Sequence, residues 1–228
     1  MKWAKYMSIA LFSLFIVILL TSSLNVTPKH IDNIKHAVKD TGAINIIASY
    51  YLAYRLFDTL FEILVFTIAV QGVGFFLKKL PSIEVHRPMR EKAIIIYTDL
   101  IFGASLITGL YIAVAGHISA GGGFVGGIVG ATGAVLVFLT MSMDDIEKEF
   151  PHHIINKWEM MLLIGVFIIA LYPLMLGKSP LSNFLPLGTP GHIISGGIIP
   201  IVDTIIGIKV LIGAITIAQS FIKHRGVF

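Results

Sequence analysis

The run FDTLFEILVFTIAVQGVGFFL, Phe57 to Leu77, decides the fold, because its only charged residues are Asp58 and Glu62, both near its start. A helix that crosses a bilayer needs about 20 predominantly apolar residues, each adding 1.5 Å to a hydrocarbon path of roughly 30 Å. Working outward, five further windows meet the same condition: Tyr6 to Leu24, Ala93 to Ala115, Phe124 to Met143, Met160 to Gly177, and Ile201 to Ile222. Backbone amides find no water in lipid, so such segments form helices; barrel strands would alternate in polarity over about ten residues. The expected fold is all-α, a polytopic membrane protein of about six transmembrane helices.

Composition agrees. Hydrophobic residues make up 56% of the 228 and charged residues 13%, about half the usual share in a soluble domain. Mean hydropathy is +0.87. The absence of Cys excludes disulfide scaffolds, thiolate metal sites, cysteine-ligated clusters and thiol nucleophiles. The formal charge of +4 includes no polybasic tract of the kind that follows nucleic acid. No nucleophile–base pair, metal triad or cofactor motif is apparent, so no cofactor and no resident metal are expected.

The first window begins with Lys2 and Lys5 and ends in Thr21-Ser22-Ser23, which gives it the outline of a secretory signal. Its apolar run is longer than a usual signal core and Ser22 sits in a poor cleavage context, so it is read as a span. With the N-terminus inside, eleven Lys and Arg fall on the cytoplasmic side, from Lys2 and Lys5 to Lys223 and Arg225, against five outside. Both termini are therefore expected in the cytoplasm of a multi-pass cell-membrane protein.

The connections differ in kind. Asn25 to Tyr50 forms a long outer segment, and Ile44 to Leu56 is expected to lie as an interfacial helix. Asp144 to Trp158 reads as a charged cytoplasmic link. Lys178 to Pro200 carries Pro180, Pro186, Pro190 and Pro200 among glycines, so an ordered or re-entrant loop is expected.

Ionisable groups inside spans carry the most information, since a charge at the bilayer centre costs at least ~2.5 kcal/mol and must face protein or water. Asp58 and Glu62 share one helical face, with Arg55 one turn earlier. Arg55 and Asp58 also fit an interfacial pair at the helix mouth. Glu62 lies a turn deeper among Phe61, Ile63, Leu64 and Val65, and suits proton or cation handling. Asp99, Asp203 and Lys209 extend the set; for Asp99, only two turns into its span beside Thr98 and Tyr97, a place near the inner interface fits better. Asp203 and Lys209, six residues apart, do not share a face, so Lys209 is expected to answer to another helix.

Between the third and fourth spans lies Gly116-His117-Ile118-Ser119-Ala120-Gly121-Gly122-Gly123-Phe124-Val125-Gly126-Gly127. A phosphate cradle is rejected, because no βαβ unit surrounds the turn and no Lys-Ser or Lys-Thr follows it. Gly121, Gly122, Gly123, Gly126, Gly127 and Gly130 are expected to serve helix packing, with four-residue spacings at Gly123/Gly127 and Gly126/Gly130. His117 is either a hydrogen-bonded turn residue or a proton relay. His152 and His153 near Glu149 look like a metal cluster, but adjacent His side chains diverge and Pro151 interrupts the segment, so a solvated loop is expected.

These residues resemble a known family: the B subunit of multisubunit cation/proton (Mrp-type) antiporters and its counterpart in archaeal membrane-bound hydrogenase and related complexes. Gly116 to Gly127 is similar to that family's Gly-His-x-x-Pro-Gly-Gly-Gly-Phe-x-Gly-Gly signature, with Ala120 in place of Pro. Thr41 through Tyr54-Arg55-Leu56-Phe57-Asp58-Thr59-Leu60-Phe61-Glu62 resembles the tail of the antiporter A subunit. The resemblance implies residues 1–80 as a two-span A-tail-like region and 86–228 as a four-span B-like domain. Gly207 to Gly213 resembles the family's last span, although antiporter versions carry an aromatic residue near Lys209 and an acid closer to the glycine than Asp203. The resemblance further implies a subunit that is not an enzyme by itself. Its partners would be other membrane subunits of an antiporter or hydrogenase-type complex, the transported ions Na+ and H+, and the lipid bilayer, with no nucleic acid. It would help form an ion route, or else only brace the module.

Overall fold

A computed structural model describes Leu14, Val17 and residues 34–45, 47, 56–80, 91–178 and 182–224, without the side chains of 34–37 and 56–58. The chain divides into two units, Met1–Asp32 and Asn33–Phe228. In the first, Leu14 and Val17 are helical; the rest of the expected first span lies outside the described residues. Everything that follows concerns the second.

The described residues of that unit form helices and connections, with no strand among them: α1 (Ile34–Thr41), α2 (Leu56–Leu77), α3 (Lys92–Val114), α4 (Gly123–Phe138), α5 (Met143–Glu149), α6 (His152–Met175) and α7 (Ile199–Lys223). Four of them, α2, α3, α6 and α7, are long and apolar enough to cross a membrane. Val65, Ile68, Phe76, Ile96, Leu100 and Ile107 are exposed, an exterior suited to lipid or to other apolar helices. The all-α polytopic expectation holds, and five of the six apolar windows coincide with helices.

Two windows change their limits. The fourth becomes a 16-residue helix ending at Phe138, about 24 Å long and short of a full crossing. Its expected tail is taken by a turn in which Ser142 starts a new helix: Ser142 Oγ accepts from the Asp145 amide at 3.2 Å. Asp144 and Asp145 stand at the positive end of α5 and Lys148 at its negative end. The fifth begins at His152, eight residues early, because Pro151 precedes the first turn as its cap; the same proline interrupts the segment as expected, parting α5 from α6. The charged link is thus mostly helical, and His152 and His153 open a helix in place of the expected solvated loop.

α7 is the central post. Half of its apolar window is buried within the chain, against 11% for α3, and it packs on α2, α3, α4 and α6, while α3 runs along α4. At the lysine-bearing end, Ala134, Phe138, Ile146, Ile155 and Ile215 form a core cluster. There the Phe138 and Phe150 rings meet edge-on at 5.2 Å. Gln219 Nε2 donates to Phe150 O at 3.0 Å and ties the α5–α6 junction to α7.

The opposite end is closed by chain without regular structure. Asn45 donates its amide N–H to His117 O at 3.0 Å and its side chain to Gly116 O at 2.6 Å, so the segment after α1 lies on the glycine turn. Of the expected interfacial helix, Ile44 forms a bend and Ile47 is helical; 46 and 48–55 lie outside the described residues. Residues 182–198 form the ordered loop expected from their prolines. Asn183 Oδ1 accepts from the amides of Leu185 and Ile198, each at 3.2 Å, and Asn183 Nδ2 donates to Gly196 O at 3.0 Å. Asn183→Ala removes three bonds and should loosen the loop by about 1–3 kcal/mol. Amide hydrogen exchange over 184–198 checks this, with faster exchange expected there and unchanged exchange in α7.

Candidate functional site

Asp203 stands in the second turn of α7, 5% exposed. It faces the N-terminus of α4, where the Gly123 amide donates to Asp203 Oδ1 at 3.0 Å. That bond fixes one oxygen and leaves Oδ2 buried without a hydrogen-bond partner among the described residues. Orphaned buried oxygens are uncommon and ask for a ligand. The glycine turn fits tightly here. A Cβ on Gly116 would fall 2.7 Å from Asp203 Oδ2, and Gly121 and Gly122 hold φ of 147° and 135°, which L side chains rarely adopt.

The same carboxylate lines a cavity of about 180 Å³ with Thr59 and Glu62 of α2, the Gly121–Gly123 turn, and Phe124, Val125 and Ile206. Glu62 and Asp203, far apart in sequence, thus share one space. Arg55 and the Asp58 side chain lie outside the described residues. Asp99 is exposed on α3, away from this cavity. His117 is fully buried beneath the turn, its Nδ1 3.1 Å from Val114 O and its Nε2 3.3 Å from His192 O, so it binds the turn to the 182–198 loop.

A second buried group lies deeper. Lys209 is 0% exposed, and its Nζ is 3.4 Å from Oε1 of Glu159, itself 2% exposed. The expectation that Lys209 answers to another helix holds, with α6 as that helix. Glu159 Oε2 accepts from Gln71 Nε2 at 3.4 Å, so three helices meet at one carboxylate. Sequence reasoning passes over Glu159, which follows Trp158 at the edge of the charged link. The available signal is Lys209 itself, a cation inside a helix with no acid three or four residues away.

Among the described residues no group of three His, Cys, Asp or Glu is placed to hold a metal ion. His152 lines a cavity together with Lys78 and Lys223, and His153 points out to an exposed surface. Of the six glycines, Gly123, Gly126, Gly127 and Gly130 are buried in α4, whereas Gly121 and Gly122 shape the turn before it. Gly126 abuts Gly109 and Ala113 of α3, and Gly127 abuts Gly207 and Val210 of α7.

Residues 93–216 match the family described as a domain related to the MnhB subunit of the Na+/H+ antiporter. A chain of Staphylococcus aureus named as antiporter subunit mnhB2 is 30% identical over 113 residues, spanning 46% of this chain and 77% of that one. An uncharacterized protein of Methanocaldococcus jannaschii is 27% identical over 198 residues, or 76% of this chain and 75% of its own length. Among solved structures, the membrane-bound sulfane sulfur reductase, an archaeal respiratory membrane complex, holds a chain with TM-score 0.74 and 29% identity, covering 96% of this chain and 98% of that one. The Mrp complex from Dietzia sp. shares the fold at TM-score 0.65 and 20% identity, covering 85% of this chain and 22% of that one.

Proposed function

The chain belongs to the family of domains related to the MnhB subunit of the Na+/H+ antiporter, and we propose that in a membrane module of that kind it supplies Glu62 and Asp203 to a cation route. It works as a multi-pass membrane subunit beside other membrane subunits. It carries no catalytic reaction of its own, whatever the parent assembly does. Residues 1–80 correspond in this reading to an A-subunit tail and 86–228 to the B domain, with both termini in the cytoplasm and the Glu62–Asp203 cavity toward the opposite face.

The partnerless Oδ2 of Asp203, a residue that lines the same cavity as Glu62, carries the proposal. Hard cations take oxygen ligands, and two carboxylates beside backbone glycines provide them without side-chain bulk. Neither carboxylate alone is a complete site, which agrees with a route finished by neighbouring subunits.

Asp203→Asn keeps the shape and the acceptor for the Gly123 amide while removing the charge. The apparent KM for Na+ of the reconstituted complex should rise about tenfold with assembly preserved. An unchanged KM would leave Asp203 a packing residue and overturn the reading.

A further inference from the structure

Three spans have an end at one cavity. α2 passes from its apolar window to Lys78, α6 begins at His152, and α7 finishes at Lys223. These three residues, with Asn156 and His224, line a space of about 410 Å³. That volume falls in the range of about 300–1,000 Å³ usual for small-molecule sites. No Asp or Glu lines it. Glu147 of α5 is close enough to act on His152 yet stands outside the lining.

The polar wall that α7 contributes is closed on itself. Thr216 donates its hydroxyl to Ile212 O at 2.9 Å, Ser220 to Thr216 O at 2.8 Å, and His224 Nδ1 lies 2.8 Å from Ser220 O. Among the described residues, the side chains of Lys78, Lys223 and Asn156 have no hydrogen-bond or ion-pair partner. Two ammonium groups in one space without an acid call for an anion that accepts hydrogen bonds and donates none, which is the chemistry of a phosphodiester.

The cavity also reaches down the span. Val70, Gly74 and Lys78 follow one stripe of α2 at four-residue steps, so the lining runs about 12 Å from the lysine into the apolar segment. Nothing lies within 4 Å of a Cβ on Gly74, which leaves the stripe open between its ends, and Phe75 beside it is 60% exposed. A free phosphate is hydrated all round and gains nothing from such a wall. A phospholipid carries its charge and its hydrocarbon in this order.

We propose that this cavity holds the headgroup of an anionic phospholipid, with Lys78 and Lys223 on the phosphodiester oxygens and the glycerol and first acyl carbons along Val70, Gly74 and Phe75. This end of the bundle is the one expected in the cytoplasm, the side on which basic pockets between spans take anionic headgroups. The bound anion relieves the repulsion between two lysines that line one space. Each lysine at a membrane surface adds about fivefold in affinity for anionic lipid. None of this depends on the cation reading of the Asp203 cavity.

The test uses the complete complex in phosphatidylcholine nanodiscs that contain a trace of phosphatidylglycerol with a diazirine on its acyl chain near the glycerol. After illumination, mass spectrometry maps the labelled peptides. Label is expected on residues 70–77 of α2. The mole fraction of unlabelled phosphatidylglycerol that halves the labelling should rise about fivefold in Lys78→Gln or Lys223→Gln, and about thirtyfold in the double variant. Gly74→Phe keeps every charge and fills the open stripe, so it should remove the label; co-purification of the other subunits checks that assembly is intact. Should the double lysine variant fail to assemble, Gly74→Phe decides. A phosphatidylcholine probe that labels these residues equally, or labelling unmoved by the variants, overturns the inference and leaves ordinary bilayer contact. Displacement of the label by inorganic phosphate overturns the lipid in favour of a free anion. Absence of label in the native complex overturns it too, and gives the cavity to an acidic side chain of a neighbouring subunit.

Discussion

Glu62→Gln is expected to abolish coupled Na+ transport by the assembled complex, a loss of about a hundredfold or more, while every subunit remains in place. The side chain lies one turn inside the apolar part of α2, with Phe61 and Val65 exposed beside it. A carboxylate costs at least ~2.5 kcal/mol at the bilayer centre, and one turn inside the span a smaller cost of the same origin applies unless something wet or charged meets it. The acidic cavity meets it on one side, and neighbouring subunits are expected to meet it on the other. Glutamine keeps the length and the hydrogen bonding and even inserts more readily, so packing should survive. Na+ uptake by vesicles, with subunit composition checked after purification, decides the matter. Unaltered uptake would sink the ion-carrying role, and dissociation of the complex would move Glu62 to the group of residues that brace it.

That selectivity separates a conducting role from a merely adhesive one. A structural carboxylate fails together with the assembly, because the partner it holds is the partner it loses. A conducting carboxylate fails alone. Asp203 should follow the same rule with a smaller effect, since its Oδ1 already has the Gly123 amide and only Oδ2 is left without a partner.

The spans were legible in the sequence because lipid imposes a local condition: about 20 apolar residues in continuous helix, readable without knowing any neighbour. The limits of α4 and α6 were less so. Ser142 and Pro151 set them through local caps that an apolar window does not see. The glycine seam was visible as spacing, but the helix each face meets was not. Pairings across helices were hidden for the same reason. Lys209 announced a need for an acid and Glu159 was in plain view, yet only the packing of α6 on α7 joins them. Glu62 and Asp203 were singled out separately, and the fold supplied the cavity between them.

Gly127→Leu should remove the chain from its complex altogether. A Cβ at this position would lie 2.5 Å from Gly207 O and 2.7 Å from Val210 Cβ, both fixed to the α7 backbone. No rotamer relieves that contact, so α4 must withdraw from α7. In water, hydrophobic burial would offset part of the separation; in lipid the helices are held by close van der Waals contact, which withdrawal forfeits along the whole seam. The Gly123 amide leaves Asp203 at the same time, adding a second unsatisfied atom to the carboxylate. The combined loss should be about 4 kcal/mol or more, comparable with the stability of a small domain. Gly103→Leu supplies the contrast, since nothing lies within 4 Å of a Cβ there. The Gly103 variant should purify with the complex at the native yield and melting temperature, and the Gly127 variant should be missing from it. If the Gly127→Leu subunit co-purifies and melts as the native one does, α4 does not dock on α7 by backbone contact. The acidic cavity would then have to be held open by something other than this seam.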